Sequence, residues 1–552
     1  MLFITSPTQV GHKVPSRPFV PERLSNGPNA HTPMTKPARS ISAHDDGVAG
    51  SRLAGIAAAG GVALVGVMLW STLAWRAASL SEPLLDAVSG TEMIGLVAIK
   101  VLAGVLFLLV LWALLRMASR SPESSAMGRR ALLIVAVVGV GMRLAALPHA
   151  TGWEDDFHRY LWDGAVVASG ENPYRWSPEA VMQGSLDVPT ALVDLAATAE
   201  STVTSINHAH LRTIYPPVTQ FWFAAAHVIA PWQLDGWRLV LLLHDLTTVA
   251  LLLFLLRRLR LPLVLAGGWW INPLVVSEVF QTVHMDVLAL PWVLGAIALA
   301  ITSRRHLGAI ALAVAVAVKL WPLALAPLLL RDSLGSKVSD RVRRTLLAGA
   351  IVCVASLVLL APMLMVERAA TDPTASGLVR YAEAWQNNAA FYALHHGVWE
   401  RALPIFGIEA WESQEYARRA TVLLFALLVV ALIWRPIVDG RDLCRRAMWI
   451  VAALFLIGPT QFPWYFLWVV PLIAVGVDRH ARPSWALLAA VALLPMYHFQ
   501  YVAPWTLWVQ HAPIWIWLGV DALRGLREGA TERVLGATAR DRLPSNMAEA
   551  SG

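Results

Sequence analysis

The sequence predicts an all-α fold, a polytopic transmembrane helical bundle, and three observations predict it. Apolar runs of about 18 residues or more recur along the chain, each long enough to cross a bilayer core as a helix. Only 15% of residues are charged against 57% hydrophobic, and the mean hydropathy is +0.56, far from soluble globular composition. The arginines that remain gather in short connectors between apolar runs, which is the positive-inside pattern. About 11–14 membrane segments are expected, some of them short or re-entrant.

The net charge of +7 is therefore a statement about membrane topology and excludes a nucleic-acid footprint. Cys353 and Cys444 are the only cysteines and lie far apart, in or beside apolar runs, so neither a disulfide framework nor a thiolate metal site is expected.

In chain order, residues 1–52 are rich in Pro, Ser, Asn and Gly and cannot bury enough surface to offset ordering entropy, so a disordered cytoplasmic segment is expected. The first apolar run starts only near Leu53, unlike a cleaved signal peptide. Residues 53–130 are expected to hold two spanning helices, at 53–75 and 94–115, and a cytoplasmic connector carrying Arg116, Arg120, Arg129 and Arg130. A third span, 131–147, then exits to the outer side. The catalytic transmembrane region is expected over 131–520, with outer loops at 148–215 and 367–419 and a cytoplasmic tail at 521–552.

Several segments of this region are too short for their apparent topology. The segment opened by Tyr215-Pro216-Pro217-Val218 reads as interfacial or re-entrant, since 237–256 already supplies the crossing to Arg257, Arg258 and Arg260. Two crossings fit between 263 and 302, with His284-Met285-Asp286 at the outer turn. Residues 307–330 and 448–477 are too short to cross twice; the first is expected to break at Pro322 and Pro327 with Lys319 near the tip, the second around GPTQFPWY. A last apolar pair runs from 485 to about 520.

The densest polar stretch is GWEDDFHRYLWDGAVVASGENPY, residues 152–174. Glu154, Asp155, Asp156 and Asp163 crowd four carboxylates beside His158, Arg159, Trp162 and Tyr174. The bland alternative is a solvated loop with a helix N-cap at Asp155 or Asp156. Topology brings this loop to the same face as His284, Asp286 and Lys319. A carboxylate there can take the proton of an attacking hydroxyl while Lys, Arg or His offsets charge on a departing phosphate, which suits group transfer from a phosphorylated lipid. Asp156 is the first candidate base, followed by Asp155 and then Asp163. Lys319, His284, Asp286, Arg159, Arg143, Tyr215, Trp162 and Tyr174 are the candidates for holding donor phosphate and substrate. For Lys100 and Arg143, which lie within spans, the alternative is snorkelling toward an interface, whereas Lys319, alone in an apolar run, is costly without a partner. His244-Asp245 reads as a structural buried pair. The loop carboxylates leave room for a divalent cation, although no spacing is diagnostic of one. A transporter or flippase of lipid-linked sugars is the alternative class; the lack of a convincing internal repeat speaks against it.

DDFHRYLWDG (155–164), GENPY (170–174), YPPV (215–218), Asn272-Pro273, His284-Met285-Asp286, KLWP (319–322) and FPWY (462–465) together resemble the GT-C superfamily of integral-membrane glycosyltransferases, in particular bacterial polyprenol-phosphate-mannose-dependent mannosyltransferases. The order of these motifs matches from about residue 131 to 501, leaving the spans before Arg129 outside the pattern. The resemblance implies a GT-C-type bundle and an inverting transfer of a hexose, most commonly mannose, from a polyprenyl-phosphate donor to a lipid, glycan or protein acceptor. It implies a loop aspartate as base, Asp155 or Asp156 without choosing between them, with Lys319 and His284 near the cavity. It further implies a bacterial inner membrane with the site facing the periplasm.

Overall fold

The computed structural model describes residues 43–79, 90–147, 154–185, 187–331, 337–369, 373–499 and 503–540. Among these there is no β-strand. The residues from Ala49 onward form one unit, and the architecture is that of this unit. α1 (Ala43–Ser79), α2 (Gly90–Arg120) and α3 (Ala126–Ala146) come first. α1 begins before the expected Leu53 because no proline in AHDDGVAGSR stops the helical ladder from running back; the rest of the leader lies outside the described residues.

The acidic stretch folds as α4 (Asp156–Ala168), followed by three short helices, Pro178–Met182, Thr190–Thr198 and Glu200–Thr204. α5 (Pro217–Ile229) is the YPPV segment, and its 13 residues are too few to cross a bilayer. α6 (Leu234–Arg258) is a full-length apolar helix. α7 (Leu263–Trp270) and α8 (Pro273–Gln281) make one apolar stretch bent by 45°. Asn272 causes the bend's geometry: its side chain caps α8 by accepting from the amides of Leu274 and Val275, and Pro273 takes the first-turn position that needs no amide. Then come α9 (Met285–Ile301), α10 (Arg305–Val318), α11 (Val338–Ala369), α12 (Ala390–Ala402), α13 (Ser413–Trp434), α14 (Gly440–Ile457), α15 (Pro463–Val475), α16 (Trp485–Phe499) and α17 (Thr506–Arg540). The polar tail is helical as far as Arg540, so the last helix continues past the expected boundary at 520.

Both expected breaks are present, and their carbonyls are satisfied. α10 stops at Val318, Lys319 is extended (φ −156°, ψ 141°), and a 3-10 turn, Trp321–Leu325, follows. Pro322 has no amide to offer the Val318 carbonyl, and the Thr219 hydroxyl of α5 donates to it instead at 2.6 Å. Between α14 and α15 the Gln461 side-chain amide donates to the carbonyls of Leu456 and Gly458. There Asn387 pairs with the opened chain, its amide donating to Pro459 and its carbonyl accepting from Gln461. Irregular backbone at membrane depth is stable only where protein supplies such partners.

Among the described residues α1, α2, α6, α11 and the helix ending at Trp434 are long and apolar enough to span; the bent pair adds a sixth, and α9, α10, α15 and α16 are shorter apolar helices. One large core of Leu, Val, Ala and aromatic side chains joins these helices. Leu346, Val358 and Met365 on α11 and Val422 and Leu427 on α13 are nevertheless exposed. Apolar rows left outside a packed core mark the surface that faces lipid. The chain is a polytopic all-α membrane protein. Trp162, Val166, Val181, Leu192 and Val203 form a second, small core inside the acidic segment itself.

Candidate active site

A cavity of about 1080 Å³ opens where α4, the 207–216 segment, the break at Lys319, the 377–387 segment, α13 and the 458–468 segment meet. Its acidic wall is the start of α4. Asp155 holds the N-cap position, yet its side chain makes no capping bond; the carboxylate lies beside Asn207 and His208. Asp156 accepts from the Tyr160 hydroxyl, one helical turn on, at 3.4 Å. Its Oδ2 is 3.8 Å from His284 Nδ1, and 37% of its side-chain surface faces the cavity. Burial pushes the Asp156 carboxyl up to about 6, helped by the neighbouring Asp155 carboxylate and opposed by Lys319. Burial also raises Asp155.

Glu154 sits deeper. The Tyr497 hydroxyl donates to it, and burial outweighs that bond to push its carboxyl up to about 8. It belonged to the acidic run without standing among the expected site residues.

The cationic wall is the Lys319 break. Lys319 Nζ donates to Asp286 Oδ1 at 2.5 Å, and the Trp468 indole donates to the same oxygen at 2.6 Å. Lys319 also lies over the faces of Tyr465 and Trp468, at 4.3 and 5.1 Å from their centroids. Arg159 lines the cavity with Nη1 buried and, among the described residues, without a hydrogen-bond partner. Its remaining donors hold the Leu211 carbonyl and Asp163. His284 is fully buried and stacks on Trp464. Tyr215 lines the cavity with its ring edge on Tyr160.

The other expected residues stand behind this surface. Asp163 is buried and held by Thr213 at 2.5 Å and Gln220 at 2.9 Å; both donors steady the turn that leads into α5. Trp162 fills the small loop core, and the Tyr174 hydroxyl donates to the Tyr215 carbonyl at 2.8 Å, fixing the backbone of a cavity residue. Arg143 points into the bundle, where it forks onto both oxygens of Asp245 at 2.7 and 2.9 Å and donates to the Trp270 carbonyl. Asp245 thus pairs with Arg143, while its neighbour His244 bonds the Val240 carbonyl. His395 and His396 bond Thr421 and Ser413 and do not line the cavity. Among the described residues no group of three or more metal-ligating side chains is placed to hold an ion.

Tyr381, Trp385 and Asn387 of the second outer loop also line the cavity, as does Arg418, which the sequence did not single out. His208 meets Trp385 edge to face at 4.7 Å. Arg418 donates to the carbonyls of Ala382 and Trp385, pinning the segment that carries both aromatics.

A buried carboxylate raised to about 6, an arginine one turn on, a lysine and aromatic faces lining one cavity can bind a sugar phosphate and remove a proton from a hydroxyl. The family model described as alpha-(1->6)-mannopyranosyltransferase, N-terminal domain, matches residues 52–331. The chain belongs to this family. It is also similar to alpha-(1->6)-mannopyranosyltransferase A of Mycobacterium tuberculosis (strain ATCC 25618 / H37Rv), 25% identical over 360 residues, which is 62% of this chain and 65% of the relative. The alignment thus spans slightly less than two thirds of that protein. No solved structure matches. The family match starts at residue 52, so α2 and all of α1 from that residue on lie within it.

Proposed function

We propose that the protein is a membrane mannosyltransferase that moves mannose from a polyprenyl-phosphate donor to a hydroxyl acceptor on the outer face, with Asp156 as general base. The observation that carries this reading is the mixed lining of the cavity. Asp156, Lys319 and Arg159 line it together with the apolar side chains of Leu320, Leu323, Ala324, Val422 and Phe425. Leu323 and Val422 are 52% and 68% exposed on the lipid-facing surface. An isoprenoid chain entering sideways from the bilayer would reach these polar groups with its phosphate.

In the proposed step the acceptor oxygen gives its proton to Asp156 and attacks the anomeric carbon as the bond to the phosphate oxygen breaks. Lys319 and Arg159 offset the charge gathering on that phosphate. Inversion converts a β-linked donor to an α-linked product. The name of the family and of the similar mycobacterial protein supports mannose as the sugar and the 6-hydroxyl of a mannoside as acceptor. The basic connectors after α2 and α6 support a cytoplasmic N-terminus and a cavity facing outward.

The test is transfer of radiolabelled mannose from polyprenyl-phosphate mannose to an α-mannoside in membranes, comparing wild type with Asp156→Ala and Asp155→Ala. Loss of transfer in Asp156→Ala with the protein still inserted supports the reading. Translocation of the labelled carrier without any transfer sinks it in favour of a transporter.

A further inference from the structure

His284 starts the segment that becomes α9 and is fully buried, pressed flat on Trp464 with centroids 3.8 Å apart and planes 15° from parallel. Among the described residues neither of its ring nitrogens has a hydrogen-bond partner. Yet both face carboxylates. Nδ1 is 3.8 Å from Asp156 Oδ2, and Nε2 is 3.8 Å from Oε2 of Glu278 and from Oε2 of Glu154. Buried ring nitrogens that serve packing alone are normally satisfied. Here the ring stands between the candidate base on one side and an interior carboxyl pair on the other, with distances that a small closing motion brings to hydrogen-bond length.

We propose that His284 is a tautomeric proton relay that carries the proton collected by Asp156 inward to Glu278. The inference rests on the reading of Asp156 as base. Asp156, once protonated by the acceptor hydroxyl, gives that proton to Nδ1 as Nε2 releases its own to the Glu278 carboxylate. The ring begins and ends neutral, one proton moves, and Asp156 returns to its ionised form. Lys100 of α2 shares a second, small cavity with Glu278, Ser71, Ser277 and Gln281, so the relay ends beside a cation. Glu154, bonded by Tyr497, flanks the path. The other groups around the ring are Asp286, two residues on, and Lys319 and Lys100, whose charges both reach it. This gives Lys100, an isolated cation in the second span, a role other than snorkelling.

The relay is tested on purified full-length protein in nanodiscs, with polyprenyl-phosphate mannose as donor and an α-mannoside as acceptor. Wild-type turnover is read first: no transfer by the wild type overturns the enzyme reading and the relay with it. Given transfer, His284→Gln is expected to lower kcat by about a hundredfold, leave both KM values within about twofold, and raise the solvent deuterium isotope effect on kcat. Glu278→Gln is expected to do the same, and the double variant to be no worse than either single one, as members of one chain are not additive. Wild-type kcat and isotope effect in His284→Gln, a loss confined to KM, or additive losses in the double variant overturn the relay. Should His284→Gln fail to accumulate as a monodisperse protein, Glu278→Gln alone decides by the same readings.

Discussion

Lys319 Nζ lies 2.5 Å from Asp286 Oδ1, joining the break after α10 to the first turn of α9 deep in the wall of the cavity. Removing one partner of a buried pair leaves an uncompensated charge, at a cost of about 3–5 kcal/mol. Lys319→Met is therefore expected to lower the Tm of the detergent-purified protein and abolish mannosyl transfer. Combining it with Asp286→Asn should recover much of the Tm without recovering transfer, because the counter-charge for the donor phosphate stays missing. A double variant with wild-type kcat/KM would remove Lys319 from the donor site.

Asp156 and Asp155 are separated by their surroundings. Asp156 shares its oxygen with Tyr160 and faces His284, whereas Asp155 leans toward Asn207 and His208. Asp156→Asn is expected to lower kcat by at least about a hundredfold, the usual share of a general base, and Asp155→Asn by about tenfold or less. A larger loss in Asp155→Asn reverses the assignment. The pH dependence follows from the same carboxyl. Its folded-state value, about 6, stands above the ordinary 3.8, and the base works only when ionised. Thus kcat/KM should climb as pH rises through about 6 and level off above it.

Much of the fold was legible because its causes are local. Arginines mark the connectors, and prolines end helices within one turn, so the breaks at Lys319 and before Pro463 were readable from composition and length. Within the site, Asp156, Asp286, Lys319 and Tyr215 were found because polar groups beside apolar runs are costly and few. What escaped depends on partners distant in sequence. Nothing near Arg143 announces Asp245, 102 residues away. Trp162 and Tyr174 resemble sugar platforms in composition, but Trp162 packs into a core the loop builds for itself and Tyr174 is spent on the Tyr215 carbonyl. Glu278 hid inside an apolar helix, and only the fold brings it beside Glu154, opposite Asp156 across His284.

Glu154 makes stability depend on pH. Its carboxyl is raised from 4.5 to about 8, so the folded chain keeps a proton that the unfolded chain has released. The contribution is fully present below about 4.5 and is lost as pH rises through about 8. Tm should fall over this window, and Glu154→Gln, permanently neutral and still able to accept from Tyr497, should flatten the fall. An unchanged slope of Tm against pH would show that Glu154 is ionised in the folded protein.

Arg143 and Asp245 form a bidentate pair away from the cavity, with the guanidinium 3.5 Å from the Trp270 ring centroid. Arg143→Met should cost about 3–5 kcal/mol of stability by stranding Asp245, seen as a lower Tm and yield. Protein that does fold should keep the wild-type KM for donor, whereas a rise in KM with Tm unchanged would put Arg143 in the substrate site after all.

Gly164 sets how closely the helix that carries Asp156 can approach its support. A Cβ at this position would collide with the Phe223 carbonyl oxygen of α5, a contact that backbone can relieve only by moving. Gly164→Ala raises helix propensity by up to about 1 kcal/mol, yet the overpacking costs about 1–3 kcal/mol, so the sum is expected to be destabilising. The larger effect is on geometry. Pushing α4 off α5 shifts Asp156 relative to Lys319, and a displacement of about 1 Å is enough to cost a hundredfold in rate. Gly164→Ala should therefore lose kcat out of proportion to Tm. A variant that loses Tm but keeps kcat would show that the start of α4 is positioned by the Tyr160 and Tyr215 contacts and not by this helix crossing.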